Sequence, residues 1–93
     1  MKPSDRKKQK EYFEKHEYCE SCGKIPHEVH EILHGSRRNF EEWNMIAICR
    51  TCHERAHNRA PNKGPHITKR MLLTIKKLSG ANIPQEIQME FEI

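Results

Sequence analysis

The residues best equipped for chemistry crowd into one stretch, Met45 to His57, which reads MIAICRTCHERAH. Cys49 and Cys52 bracket two residues, the spacing at which both thiolates of a tight turn reach one zinc ion. His53 and His57 follow four residues apart, which puts them on one face of a helix. The stretch therefore offers two ligand sets, cysteines for a structural metal and histidines for a second, working site. A second Cys-x-x-Cys pair, Cys19 and Cys22, is followed by Gly23, which tolerates the positive φ of a metal-binding turn. One such pair alone also fits a redox site. Two of them flanking the segment from Gly23 to Ile48 point to a four-thiolate zinc clamp that ties the ends of that segment together.

The bulk properties say why a clamp is needed. A chain of 93 residues, 34% hydrophobic and 32% charged, makes one small domain whose apolar burial barely offsets the entropy of ordering it. A structural metal supplies the missing stability. The lysine-rich N-terminus carries no apolar signal region, and paired cysteines of metal type fit a reducing compartment, so a cytoplasmic protein is expected. No apolar run approaches bilayer length, so no membrane partner is expected.

The formal charge is +4, and its distribution is uneven. Arg50, Arg55, Arg59, Lys63, Lys69, Arg70, Lys76 and Lys77 face a single acid, Glu54, within their span, while Glu86, Glu90 and Glu92 gather near the C-terminus. Such asymmetry fits a basic face that meets phosphates or a solubilising surface, and charge alone does not choose between them.

The elements that must position these groups follow from pattern and punctuation. Residues 1–17 form a basic arm and helix, running from about Asp5 to Glu17, with Tyr12, Phe13 and His16 covering the first knuckle. Residues 18–60 form the metal-bearing core. In it, His27 to His34 reads as a short strand with Val29 and Glu31 on one side and His30 and Ile32 on the other. Gly35 to Asn39 is a turn or loop, Phe40 and Trp43 pack on the clamp, Met45 to Ile48 is a second strand, and Arg50 to about Arg59 is a helix. Residues 61–93 hold a breaker-rich linker, a helix from about Ile67 to Ser79 with Met71, Leu72, Ile75 and Leu78 as its apolar stripe, and a tail that is helical or extended.

The order Cys19-x-x-Cys22, Val29-His30-Glu31-Ile32, Asn44, then Cys49-x-x-Cys52-His53 with His57 resembles the HNH endonuclease family of ββα-metal nucleases. It is similar above all to the small zinc-clamped members common in bacteria, phages and mobile elements, and the likeness covers roughly Tyr18 to His57. The fold it implies is α+β, a small zinc-stabilised ββα-metal domain with flanking helices. The activity it implies is metal-dependent hydrolysis of DNA phosphodiester bonds, with a monomer nicking one strand. In most members the first strand ends in a pair whose first residue binds the catalytic metal and whose second is the general base. Here the pair is His30-Glu31, so His30 takes the ligand place and Glu31 the base place; with a register one residue different, His30 becomes the base. Asn44 matches the asparagine that braces the loop between the strands, and His53 and His57 match the helical ligands.

On this reading Cys19, Cys22, Cys49 and Cys52 hold structural zinc, and His30, His53 and His57 hold a catalytic divalent ion, Mn, Mg, Ni or Zn. Neutral imidazoles are required, so activity is expected to fall as pH drops near the ordinary histidine value of ~6.5. Arg37, Arg38, Arg55, Arg59, Lys69 and Arg70 are the expected phosphate contacts, with little surface left for reading bases. DNA is the expected partner, alongside a second copy or a phage or bacterial protein. The competing class is a non-catalytic zinc module that binds nucleic acid or protein, supported by Glu31 standing where a histidine is usual. A thiol-disulfide oxidoreductase is disfavoured, because nothing in the chain reads as a βαβ unit.

Overall fold

Tyr12, Met45 and Ala47 pack together on one side of a short sheet, and Ile46 and Ile48 face a larger apolar cluster on the other. That is why Met45 to Ile48 is apolar without alternation: all four residues of this strand are buried, whichever way they point. The computed structural model describes residues 2–93. Strand β1, Glu28–Glu31, pairs antiparallel with β2, Met45–Ile48, setting Glu28 opposite Ile48 and His30 opposite Ile46. Around this two-stranded sheet lie the helices α1, Pro3–Glu14, α2, Arg50–Ala56, α3, Lys69–Leu78, and α4, Gln85–Phe91. The result among the described residues is a small α+β domain with a cluster of four cysteines. No helix of the described residues is long and apolar enough to cross a membrane.

Helix α1 starts at Pro3, earlier than Asp5, because proline suits a first turn where its missing N–H costs nothing. The Asp5 carboxylate accepts the Lys2 N–H at 3.3 Å and closes that turn. Tyr12 is buried and His16 stacks on it at 4.1 Å, but Phe13 faces away from the cysteines. Only part of the expected Tyr12-Phe13-His16 cover therefore exists. Phe40 likewise joins the Tyr12 side, while Trp43 packs with the cysteine-bearing cluster.

Helix α2 begins on the second knuckle, where the Cys49 sulfur accepts the Cys52 N–H at 3.5 Å and serves as N-cap. It stops at Ala56, short of the expected Arg59, because Asn58 takes a left-handed conformation at φ 55°. Helix α3 is capped by Thr68, whose hydroxyl accepts the Met71 N–H at 3.2 Å. Its inward face is Leu72, Leu73 and Lys76, with Ile75 at the margin, and Met71 and Leu78 are 45% and 83% exposed. The expected apolar stripe is therefore rotated. The tail becomes α4, which packs Ile87, Phe91 and Ile93 on the main core and pairs Glu90 with Arg37 through two bonds of 2.6 and 2.8 Å.

What turns α3 is an ionic knot beneath the sheet. Tyr12 donates its hydroxyl to Glu20 at 2.6 Å, the Ala47 N–H donates to the same carboxylate at 2.7 Å, and the buried Lys76 ammonium lies 3.4 Å from it and against the Tyr12 hydroxyl. Burial lowers Lys76 from the ordinary lysine value and raises Tyr12. Lys76, counted with the basic face from sequence, is instead internal.

Candidate functional site

The two cysteine pairs meet. Their four sulfurs lie within 4.8 Å of one another, with Cys22 and Cys49 at 3.6 Å, near the ~3.8 Å separation that ~2.3 Å zinc–sulfur bonds require in a tetrahedron. Gly23 takes φ +83°, and its N–H donates to the Cys19 carbonyl at 2.8 Å, closing the first knuckle as a tight turn. Burial pushes the Cys19 thiol up, but N–H groups of Cys49, Cys22 and Ser21 outweigh it and bring the thiol down to about 7. Burial raises Cys52. All four cysteines are unbridged, and four converging sulfurs are a donor set that fits a structural metal such as zinc.

A second cluster forms next to the first. His30 from β1 and His53 and His57 from α2 bring their ring nitrogens within 4.8 Å of one another. His30 stands edge-on to both others at 5.0 Å between ring centres, and Nε2 of His53 lies 2.9 Å from Nε2 of His57. The other nitrogen of His53, Nδ1, contacts the Glu28 carboxylate. A carboxylate on the far nitrogen fixes the tautomer and turns Nε2 toward the trio, the arrangement that supports histidine ligands in metal sites. Glu28 was not singled out from the sequence, although period-two alternation places it on the same face of β1 as His30.

Burial, helped by the neighbouring His53 and His57, lowers His30 to about 3, and burial also lowers His57. Both shifts favour the neutral imidazole, whose lone pair can bind a metal. Three converging imidazoles that leave one side open fit a divalent ion with positions left for another ligand. That open side is a cleft of about 790 Å³.

The remaining sequence candidates fall in three places. Glu31 points to the other side of β1 from His30, where it accepts from Arg38 at 2.8 Å and from Gln9 at 2.6 Å, and it still lines the cleft. Asn44 is fully buried away from the histidines; its Oδ1 accepts the Leu33 N–H at 2.7 Å and its Nδ2 donates to the Leu33 and Asn39 carbonyls at 3.0 and 2.9 Å. It thereby pins the segment between the two strands. The expected phosphate contacts are scattered. Arg37 is tied to Glu90, Arg55 donates to the Pro65 carbonyl at 3.0 Å, and Arg70 lies 3.4 Å from the Glu92 carbonyl. Arg59 and Lys69 have no acidic partner among the described residues, and Lys69 is near enough to act on His30. The cleft also receives Arg6 and Lys10, which the sequence places in a basic arm, and Phe13, which it places over the first knuckle.

No protein-family model matches this chain, and no curated protein and no solved structure matches it. Its likeness to HNH nucleases therefore stands on the residues themselves.

Proposed function

We propose that the chain is a metal-dependent DNA endonuclease of the HNH type, built on a ββα-metal core, that nicks phosphodiester bonds with low sequence specificity. The observation that carries this reading is the separation of two donor sets: four sulfurs converge in one cluster, and three imidazoles converge beside them on an open cleft. A purely structural zinc module has no use for the second set.

A divalent ion held by His30, His53 and His57 would neutralise charge on the scissile phosphate and on the leaving oxygen. The chain's own groups do the rest. Glu28 orients His53, and burial keeps His30 unprotonated. Glu31 stands at the base position of the family pattern and lines the same cleft, and it is the base of this reading. Its carboxylate takes the proton of the attacking water as the new phosphorus–oxygen bond forms and the bond to the leaving strand end breaks. Arg38 and Gln9 hold that carboxylate at the cleft wall, and Asn44 fixes the chain that leaves β1. One such site cuts one strand, so a double-strand break needs a second copy or a second encounter.

The reading is tested by incubating zinc-loaded protein with supercoiled plasmid and Mn, Mg or Ni, alongside His30→Ala and His53→Ala. Nicking by the wild type and its loss in variants that keep zinc and fold is the expected result. Equal nicking by all three proteins, or none by any, overturns it in favour of a non-catalytic zinc module.

A further inference from the structure

Helix α1 lines the same cleft as the histidines. Arg6, Gln9, Lys10 and Phe13 follow at i, i+3, i+4 and i+7, one stripe along the helix. That stripe is fixed in place. Tyr12 anchors α1 in the core beside Met45 and Ala47, and Gln9 donates to Glu31 at 2.6 Å across the edge of β1. Phe13 is half-buried, belongs to neither core cluster and lines the cleft. It is a large aromatic ring only half-buried by the fold, standing among Arg6, Gln9 and Lys10 on α1.

Charge in the cleft is equally lopsided. Its acids are already engaged, Glu28 by His53 and Glu31 by Arg38 and Gln9. Arg6 and Lys10 are exposed and have no acidic partner among the described residues. They stand one helical turn apart, ~6 Å along the axis. The open cleft, about 790 Å³, has room for a nucleotide or two beside the histidines. A phenyl ring stacks on a base only when that base is out of its pair.

We propose that α1 is the second wall of the substrate cleft and that the cleft takes one unpaired DNA strand, Phe13 stacking on a base while Arg6 and Lys10 hold adjacent phosphates. DNA as the ligand rests on the endonuclease reading. The preferred substrate is then single-stranded or locally opened DNA, and the duplex is engaged where it frays.

Binding tests this apart from cleavage. Full-length zinc-loaded protein carrying His53→Ala is titrated into a fluorescein-labelled 12-nucleotide oligothymidine and into a hairpin duplex, and anisotropy is followed at several salt concentrations. The single strand should bind roughly tenfold more tightly than the duplex. Phe13→Ala should weaken single-strand binding roughly tenfold with the salt slope unchanged, as loss of one stacked base predicts. Arg6→Gln with Lys10→Gln should flatten the slope of log K against log salt by about 1.4, two phosphates at ~0.7 each. Phe13→Trp should restore binding, and circular dichroism checks that every variant keeps its helices. A duplex bound as tightly as the single strand, a Phe13→Ala effect within twofold, or an unchanged slope in the double variant overturns the proposal. If the expected effects appear while the wild type never nicks plasmid, the endonuclease reading falls and the single-strand cleft stands. If the wild type nicks plasmid while the α1 variants bind unaltered, the single-strand cleft falls and the endonuclease reading stands.

Discussion

Asn44 shows how one side chain sets the geometry of a site it does not touch. Its amide spans three backbone partners on Leu33 and Asn39 with no exposure to water, so truncation strands a donor and two acceptors in the interior. Asn44→Ala is expected to cost about 3 kcal/mol in urea unfolding and to reduce nicking with zinc content unchanged; a cost under about 1 kcal/mol would contradict the bracing role. His30 carries a prediction of the opposite kind. Metal binding needs neutral rings, and burial with two imidazole neighbours lowers His30 to about 3 while burial also lowers His57. Protons begin to compete for these rings below the ordinary ~6.5 rather than at it. The acid limb of the nicking rate is therefore expected below pH ~6.5, and a midpoint at or above that value would contradict a limb set by His30 and His57.

At the level of elements, the second knuckle does two jobs, since Cys49 is both one of the four clustered sulfurs and the N-cap of the helix that carries His53 and His57. Stripping the clamp should therefore loosen the histidine trio as well. A chelator strong enough to remove zinc, or Cys49→Ser, is expected to abolish the cooperative thermal transition in circular dichroism, and added zinc should restore it only in the wild type. A domain that still melts cooperatively without metal would mean that the core suffices. Strand β2 and the start of α2 were legible because the apolar run and the Cys-x-x-Cys punctuation mark them, whereas β1 is shorter than the expected His27 to His34 and α2 ends before the expected Arg59. The inward face of α3 was not, because a buried lysine takes an apolar position, and hydrophobic periodicity cannot foresee that.

Across the whole molecule, Tyr12, Glu20 and Lys76 join the N-terminal helix, the first knuckle and α3 into one ionic knot. Breaking one side leaves a charge with little water to replace its partner. Lys76→Met is expected to cost about 3 kcal/mol in denaturant unfolding, and Glu20→Gln in the same chain to recover most of it. Additive losses in the double variant would show that the two charges do not depend on each other. The same knot holds α1 against the sheet and so holds the Phe13 stripe at the cleft, which links a stability feature to the proposed substrate wall.

The sequence by itself determined the chemistry on offer: thiolate pairs at zinc spacing, two histidines one helical turn apart, His30 beside Glu31, and Asn44 ahead of the second knuckle. Those signals are local, fixed by turn geometry and helical period. Only the tertiary structure decided that His30 joins His53 and His57, that Glu28 backs His53, that Glu31 turns to Arg38 and Gln9, and that Arg6, Lys10 and Phe13 face the same cleft. Each of these depends on how β1 pairs with β2 and how α1 lies across the sheet. Side chains far apart in the chain meet through packing, and no local spacing records it.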